Sequence, residues 1–178
     1  MREREMRFFT REEAQRFLAA AVGERLEALH VVPVTTGMRQ GELLALRWQE
    51  VDLGDLSGVG NLLVLRVRAT LQRDQSGALM LSETKTKRSR RQIAQAALAV
   101  EALRRHRVAQ HHERLLLGAA WHEQGIGQDL VFCGATGGPL DASGVYHAFC
   151  GWWSVRVCRA SGSTICGIQR RRCCWGRG

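Results

Sequence analysis

The chain lacks the features that sort many proteins at a glance. It has no long hydrophobic run, two prolines, a single tyrosine and no cysteine before Cys133. A membrane-spanning helix needs about 20 consecutive apolar residues, so none is expected, and no membrane partner with it. The first seven residues, Met1 to Arg7, mix both signs of charge and lead into no apolar segment, unlike a secretory leader. A cytoplasmic protein is the expectation. The late cysteines do not read as a metal site. Cys150, Cys158 and Cys166 are eight apart, Cys173 and Cys174 are adjacent, and no C-x2-C pair offers two sulfurs to a tetrahedral zinc. In a reducing compartment they are expected to stay thiols.

What is present is a basic chain of 178 residues, enough for one domain with a true core. The formal net charge is +9, which ordinarily marks a surface for phosphates. Its distribution tempers that reading. Six arginines (Arg156, Arg159, Arg170, Arg171, Arg172, Arg177) follow Gly151, where there is no acidic residue or lysine, so residues 1–150 carry only +3. The last 28 residues also contain no leucine, yet three of the five tryptophans and four of the six cysteines. That composition predicts two segments: a folded domain over 1–150 and an aberrant tail over 151–178.

Thr10 with Glu13 reads as a capping box, and Ala14, Phe17, Leu18 and Val22 recur at helical spacing up to a stop at Gly23. A second helix is expected from Glu24 to Gly37, with Pro33 inside it, and a third from Gln40 to Trp48. Residues 62–68 alternate as a half-buried strand does, and short strands are expected around Leu79–Leu81 and Arg91–Ile93. A long helix follows from Ala96, its apolar face marked by Leu98, Val100, Leu103 and Leu115 to Leu117. The apolar run Asp129-Leu130-Val131-Phe132 precedes a Gly137-Gly138-Pro139 turn, and Asp141 is placed to cap a helix through Val145 to Phe149.

The most informative stretch is Thr36-Gly37-Met38-Arg39-Gln40-Gly41-Glu42-Leu43, continuing through Leu46-Arg47-Trp48 to Asp52. Gly37 ends one helix and begins the next, which places Arg39 at a helix start where its guanidinium and backbone N–H groups can meet one phosphate. Glu42, one turn on, is positioned to orient that arginine. The pattern T-G-x-R-x-x-E-L followed by L-x-W resembles the first catalytic box of the tyrosine recombinases, the phage-integrase family. The cationic turn Thr84-Lys85-Thr86-Lys87-Arg88-Ser89-Arg90-Arg91 resembles that family's lysine-bearing β-hairpin. The resemblance extends over roughly Phe9 to Phe149. An isolated surface arginine and a solvated charge run are the plainer readings of the two boxes, and their order along one chain favours the family.

The resemblance implies an α+β fold, mostly helical, with a small antiparallel three-stranded sheet. It implies DNA as partner, tetramers of intact members on DNA, and no metal, cofactor or small-molecule ligand. Arg39 is then the charge-stabilising catalytic arginine, supported by Glu42. Lys85 is the general acid, with Lys87 in reserve because the register of the turn is open. Lys87, Arg88, Arg90 and Arg91 are the DNA-facing cations. After Phe149 the resemblance stops. The second box, H-x-L-R-H, and the nucleophilic tyrosine are not found, and Tyr146 lies upstream of both places, so no nucleophile is assigned.

A single-base shift near Phe149–Cys150 is the hypothesis for the tail. If each new codon takes the third base of one residue and the first two of the next, Trp152-Trp153 must give GTG, valine. Ser163-Thr164 through Gly167-Ile168 then permit H-D-L-R-H in register. Three readings follow: an inactive recombinase fragment, a catalytically dead DNA-binding module working as it stands, or a helical interaction protein whose motifs are coincidental. Resequencing the DNA across codons 149–150 is expected to reveal an insertion or deletion relative to close copies; an intact frame there rejects the shift.

Overall fold

The computed structural model describes residues 10–54, 64–83, 91–94, 96–121 and 128–153. In chain order these form α1 (Arg11–Ala21), α2 (Glu27–Thr36), α3 (Gln40–Leu44), β1 (Val51–Asp52), β2 (Val64–Val67), β3 (Ala69–Arg73), β4 (Leu79–Glu83), β5 (Arg91–Ala94), α4 (Ala97–Leu117) and α5 (Ala142–Trp153). Helices with small antiparallel sheets are the α+β class expected. No helix among the described residues is long and apolar enough to cross a membrane. The chain divides into two compact units, one of residues 23–142 and one of 1–22 with 143–178.

In the smaller unit the capping box closes as the sequence predicts. Thr10 Oγ1 accepts from the Glu13 amide at 3.2 Å, and Glu13 accepts from the Thr10 amide at 2.8 Å. These bonds satisfy donors that would otherwise be orphaned at the first turn of α1. Phe17 of α1 meets Phe149 of α5 edge to face, ring centroids 5.6 Å apart.

In the larger unit α2 packs against α4. The buried face of α4 is Ala99, Val100, Ala102, Leu103 and His106, spaced three and four apart. Leu98 and Leu115 to Leu117, expected on that face, are exposed instead, because the stripe that α4 buries runs from Ala99 only to His106. Two ion pairs reinforce the helix pair, Arg105 to Glu27 and Arg25 to Glu113, both at 2.7 Å. Arg25 also donates to the carbonyls of Cys133 and Gly134. It therefore sits in a turn, and α2 begins at Glu27, three residues later than the periodicity suggests.

Three strands form an antiparallel sheet in the order β1-β2-β5, and β3-β4 pair separately. The three-stranded sheet exists, but Val51–Asp52 is its third strand in place of Leu79–Glu83. β1 is only two residues long and β3 has a single buried side chain, Leu71, so neither carries a period-2 signal. The tip between β3 and β4 is an Asp74 turn, whose Oδ1 accepts from the amides of Ser76 and Ala78.

α3 ends at Leu44, four residues before the expected stop at Trp48. The chain there becomes extended to pair with the 129–131 segment: Val131 donates to the Leu46 carbonyl and Trp48 to that of Asp129, both at 2.9 Å. Leu130, Val131 and Phe132 are consequently buried to 2 % exposure or less. Their carbonyls are not left bare. Gln110 Nε2 donates to Leu130 O at 3.0 Å, and His106 Nε2 lies 2.7 Å from Val131 O. Gln110 Oε1 in turn accepts from the Trp48 indole at 2.6 Å.

The turn that follows is closed by Gly137, at φ +89°, with the Trp121 ring against its Cα face; an added Cβ would lie 2.7 Å from that ring. Gly137→Ala combines a left-handed backbone with a clash against a bulky, half-buried side chain. It is expected to cost about 2 kcal/mol or more, read as a lowered urea midpoint with an unchanged slope.

Candidate active site

The first box is built where α2 gives way to α3. Thr36 Oγ1 donates to the Val32 carbonyl and accepts from the Met38 amide at 3.3 Å, tying the helix end to the turn. Gly37 takes the left-handed conformation at φ +67°, and its N–H closes on the Pro33 carbonyl at 2.9 Å. The chain then straightens at Met38, which is buried, and Arg39, which is extended at φ −71°, ψ 151°. Gly41 sits directly on β3: an added Cβ would overlap Thr70 Oγ1 and approach the Leu71 carbonyl to 3.0 Å. α3 thus lies against the sheet with no room for a larger residue.

α3 has only five residues, so its macrodipole and free N–H groups are too slight to make an anion site by themselves. The charge at this corner is that of the side chains. Arg39 points outward, its side chain 78 % exposed. Glu42 points inward, 5 % exposed, and accepts from the Arg39 amide at 2.9 Å, which fixes the backbone from which the arginine projects. The Arg39 guanidinium touches it only at 3.4 Å.

Glu42 has a closer partner that the sequence did not suggest. Arg91, at the start of β5 opposite Val67, donates to both carboxylate oxygens, at 2.9 and 2.7 Å. Arg91 was expected among the cations facing DNA; in the structure its guanidinium is turned onto a buried carboxylate. No signal in the local sequence pairs residues 49 apart, and only the sheet register brings them together.

Lys85, Lys87, Arg88 and Arg90 lie outside the described residues. The flanking strands are described, however, and they are not partners of each other. β4 ends with Glu83 opposite Ala69, and β5 begins with Arg91 opposite Val67. The cationic segment therefore joins two strands that both return along the β2–β3 path, whereas the sequence suggested a turn between mutually paired strands. Tyr146 is on α5, half-buried, with the His147 ring 5.6 Å away.

Burial by itself would raise the Glu42 carboxyl, but the Arg91 hydrogen bonds, the Arg39 amide and the two guanidinium charges outweigh it and hold the group below its ordinary value of 4.5. A carboxylate depressed on folding stabilises the fold above its unfolded pKa, and that contribution is lost as pH falls through the lower folded value. Glu42→Gln is expected to cost about 1–2 kcal/mol at neutral pH. It should also flatten the acid limb of a melting-temperature profile below about pH 4.5; an acid limb as steep as the native one removes Glu42 from that role.

No family model matches the chain. An integrase of Streptomyces ambofaciens is 38 % identical over 137 residues, which is 77 % of this chain and 33 % of that protein. A XerC-like tyrosine recombinase of Caldanaerobacter subterraneus subsp. tengcongensis is 29 % identical over 155 residues, 83 % of this chain and 38 % of that protein. The chain thus spans about a third of the length of the curated relatives it matches. Among solved structures, the Tn1549 transposon integrase in complex with transposon right end DNA has a TM-score of 0.63 at 19 % identity, over 81 % of this chain and 43 % of that one. XerA recombinase has a TM-score of 0.53 at 21 % identity, over 86 % of this chain and 44 % of that one. At such identities the solved structures speak for the fold, and the curated relatives speak for descent. Together they place the chain in the tyrosine recombinase (integrase) family, with the fold of that family's catalytic domain.

Proposed function

We propose that this chain is the phosphate-engaging front of a tyrosine recombinase catalytic domain, an inactive fragment of a site-specific DNA recombination and integration enzyme. The observation that carries the reading is Arg39: a permanently charged guanidinium, 78 % exposed, projecting from a backbone that a buried carboxylate holds in place. Such a group suits the non-bridging oxygens of a phosphodiester, where charge develops as phosphorus is attacked. In the family reaction a tyrosine oxygen attacks phosphorus, a 3′-phosphotyrosine forms, and the 5′ oxygen leaves with a proton from a lysine. Lys85, with Lys87 as the alternative, is our assignment for that acid, and Lys87, Arg88 and Arg90 are assigned to the DNA backbone. The reading calls for no metal or cofactor and for a cytoplasmic protein.

The nucleophile is what the 178 residues do not supply. Tyr146, the one tyrosine, sits on α5 ahead of the place where the family's second box is expected. A second reading, a catalytically dead DNA-binding module that works as it stands, is favoured by the same exposed Arg39 and differs only in requiring affinity at physiological salt.

The purified chain is expected neither to relax supercoiled DNA nor to form an SDS-resistant adduct, and an adduct would overturn the absence of a nucleophile. Duplex binding should weaken steeply with salt, and Arg39→Ala should lower the log–log salt slope by about one. Deleting residues 151–178 should leave part of the binding. If that deletion removes it all, the affinity belongs to the basic tail and not to a recombinase surface.

A further inference from the structure

The corner beneath Arg39 holds three charges where phosphate binding needs one. Glu42 is buried and could pair with either arginine, and the distances show which it has: 2.9 and 2.7 Å to Arg91, one to each oxygen, against a single 3.4 Å approach from Arg39. A planar guanidinium on both oxygens is the favoured arrangement for a carboxylate. Arg91 is the less exposed of the two, at 33 % against 78 % for Arg39. With Glu42 occupied, the three groups sum to one positive charge, and it resides on the outward-facing Arg39.

We infer that Arg91 is a positioning residue for Arg39: by taking up the Glu42 carboxylate through two short hydrogen bonds, it leaves the Arg39 guanidinium free for a phosphate. This rests on Arg39 being the phosphate contact proposed above. Without Arg91, Glu42 would remain an acceptor three residues from Arg39, which immediately precedes the same short helix, and Arg39 would close onto it. The arrangement also makes the first box depend on the sheet, because β5 must be in register with β2 for Arg91 to reach Glu42. The two boxes that look independent in sequence are then coupled through one carboxylate.

The test uses the full chain, a fluorescein-labelled mixed-sequence DNA duplex and fluorescence anisotropy at low salt. Arg39→Ala and Arg91→Gln are each expected to weaken binding by roughly three- to tenfold, since each removes one effective cation from the phosphate. The double variant Glu42→Gln/Arg91→Gln, in which a neutral amide pair replaces the ion pair, should recover affinity to within about twofold of the native chain. A direct Arg91–phosphate contact does not predict that recovery, so its failure overturns the inference, as does an Arg91→Gln variant that binds normally or one whose loss of affinity is matched by a loss of folded protein. If Arg39→Ala binds as the native chain does, the underlying assignment of Arg39 falls and takes the inference with it. In the free protein the Arg39 Nε–H resonance should move in Arg91→Gln and return in the double variant. Should Arg91→Gln not fold, Arg91→Lys, which keeps the charge but cannot hold both Glu42 oxygens, is expected to weaken binding by less than Arg39→Ala does, and a loss as large as that of Arg39→Ala overturns the proposal.

Discussion

A carboxylate that is 5 % exposed stays charged only if cations and amide donors surround it, and Glu42 meets that requirement in a way that organises the larger unit. Its two oxygens receive the Arg91 guanidinium from β5 and the Arg39 amide from the start of α3. A five-residue helix has little stability of its own. α3 is held instead by this carboxylate and by Gly41 seated against Thr70 and Leu71 of β3. The helix, the sheet and the projecting arginine are therefore one mechanical piece.

A second constraint lies behind α3. Leu130, Val131 and Phe132 carry their backbone into the interior, and a buried loop is tolerable only if its carbonyls find donors. Gln110 and His106, both on α4, supply them, and Gln110 reaches on to the indole of Trp48. Burial keeps the His106 pKa below its usual value, offset in part by its contact with the Val131 carbonyl, so the ring serves as a neutral hydrogen-bonding wedge. His106 also stacks near Trp48 and Phe132, at centroid distances of 6.2 and 5.3 Å. The Trp of the first-box pattern is thus an anchor for the chain leaving α3, and it is far more a packing residue than a chemical one.

Charge is distributed unevenly over these pieces. Arg25, Arg91 and Arg105 are each committed to a carboxylate, at 2.7 Å in all three cases, and hold elements together. Counting basic residues therefore overstates what residues 1–150 offer to a phosphate backbone. The difference lies in geometry: a guanidinium on a carboxylate is a structural tie, and one that faces solvent is available.

Sequence alone settled what depends on neighbours along the chain. The Thr10–Glu13 capping box, the left-handed Gly37 and the helical course of α4 with Val100 and Leu103 on its buried face follow from hydrogen bonds and periods within a few residues. The T-G-x-R-x-x-E-L stretch was legible for the same reason: a local motif is complete in one dimension, and it sufficed to point to the family. What the sequence could not decide were relations between residues far apart. That α3 stops at Leu44 is set by pairing with residues 129–131, and that Leu115 and Leu116 face solvent is set by where α4 finds a partner. That Arg91 belongs to Glu42 is set by the β2–β5 register, across 49 residues. A charge run reads the same in sequence whether its arginines face solvent or a buried carboxylate, because only packing decides which acid each one meets.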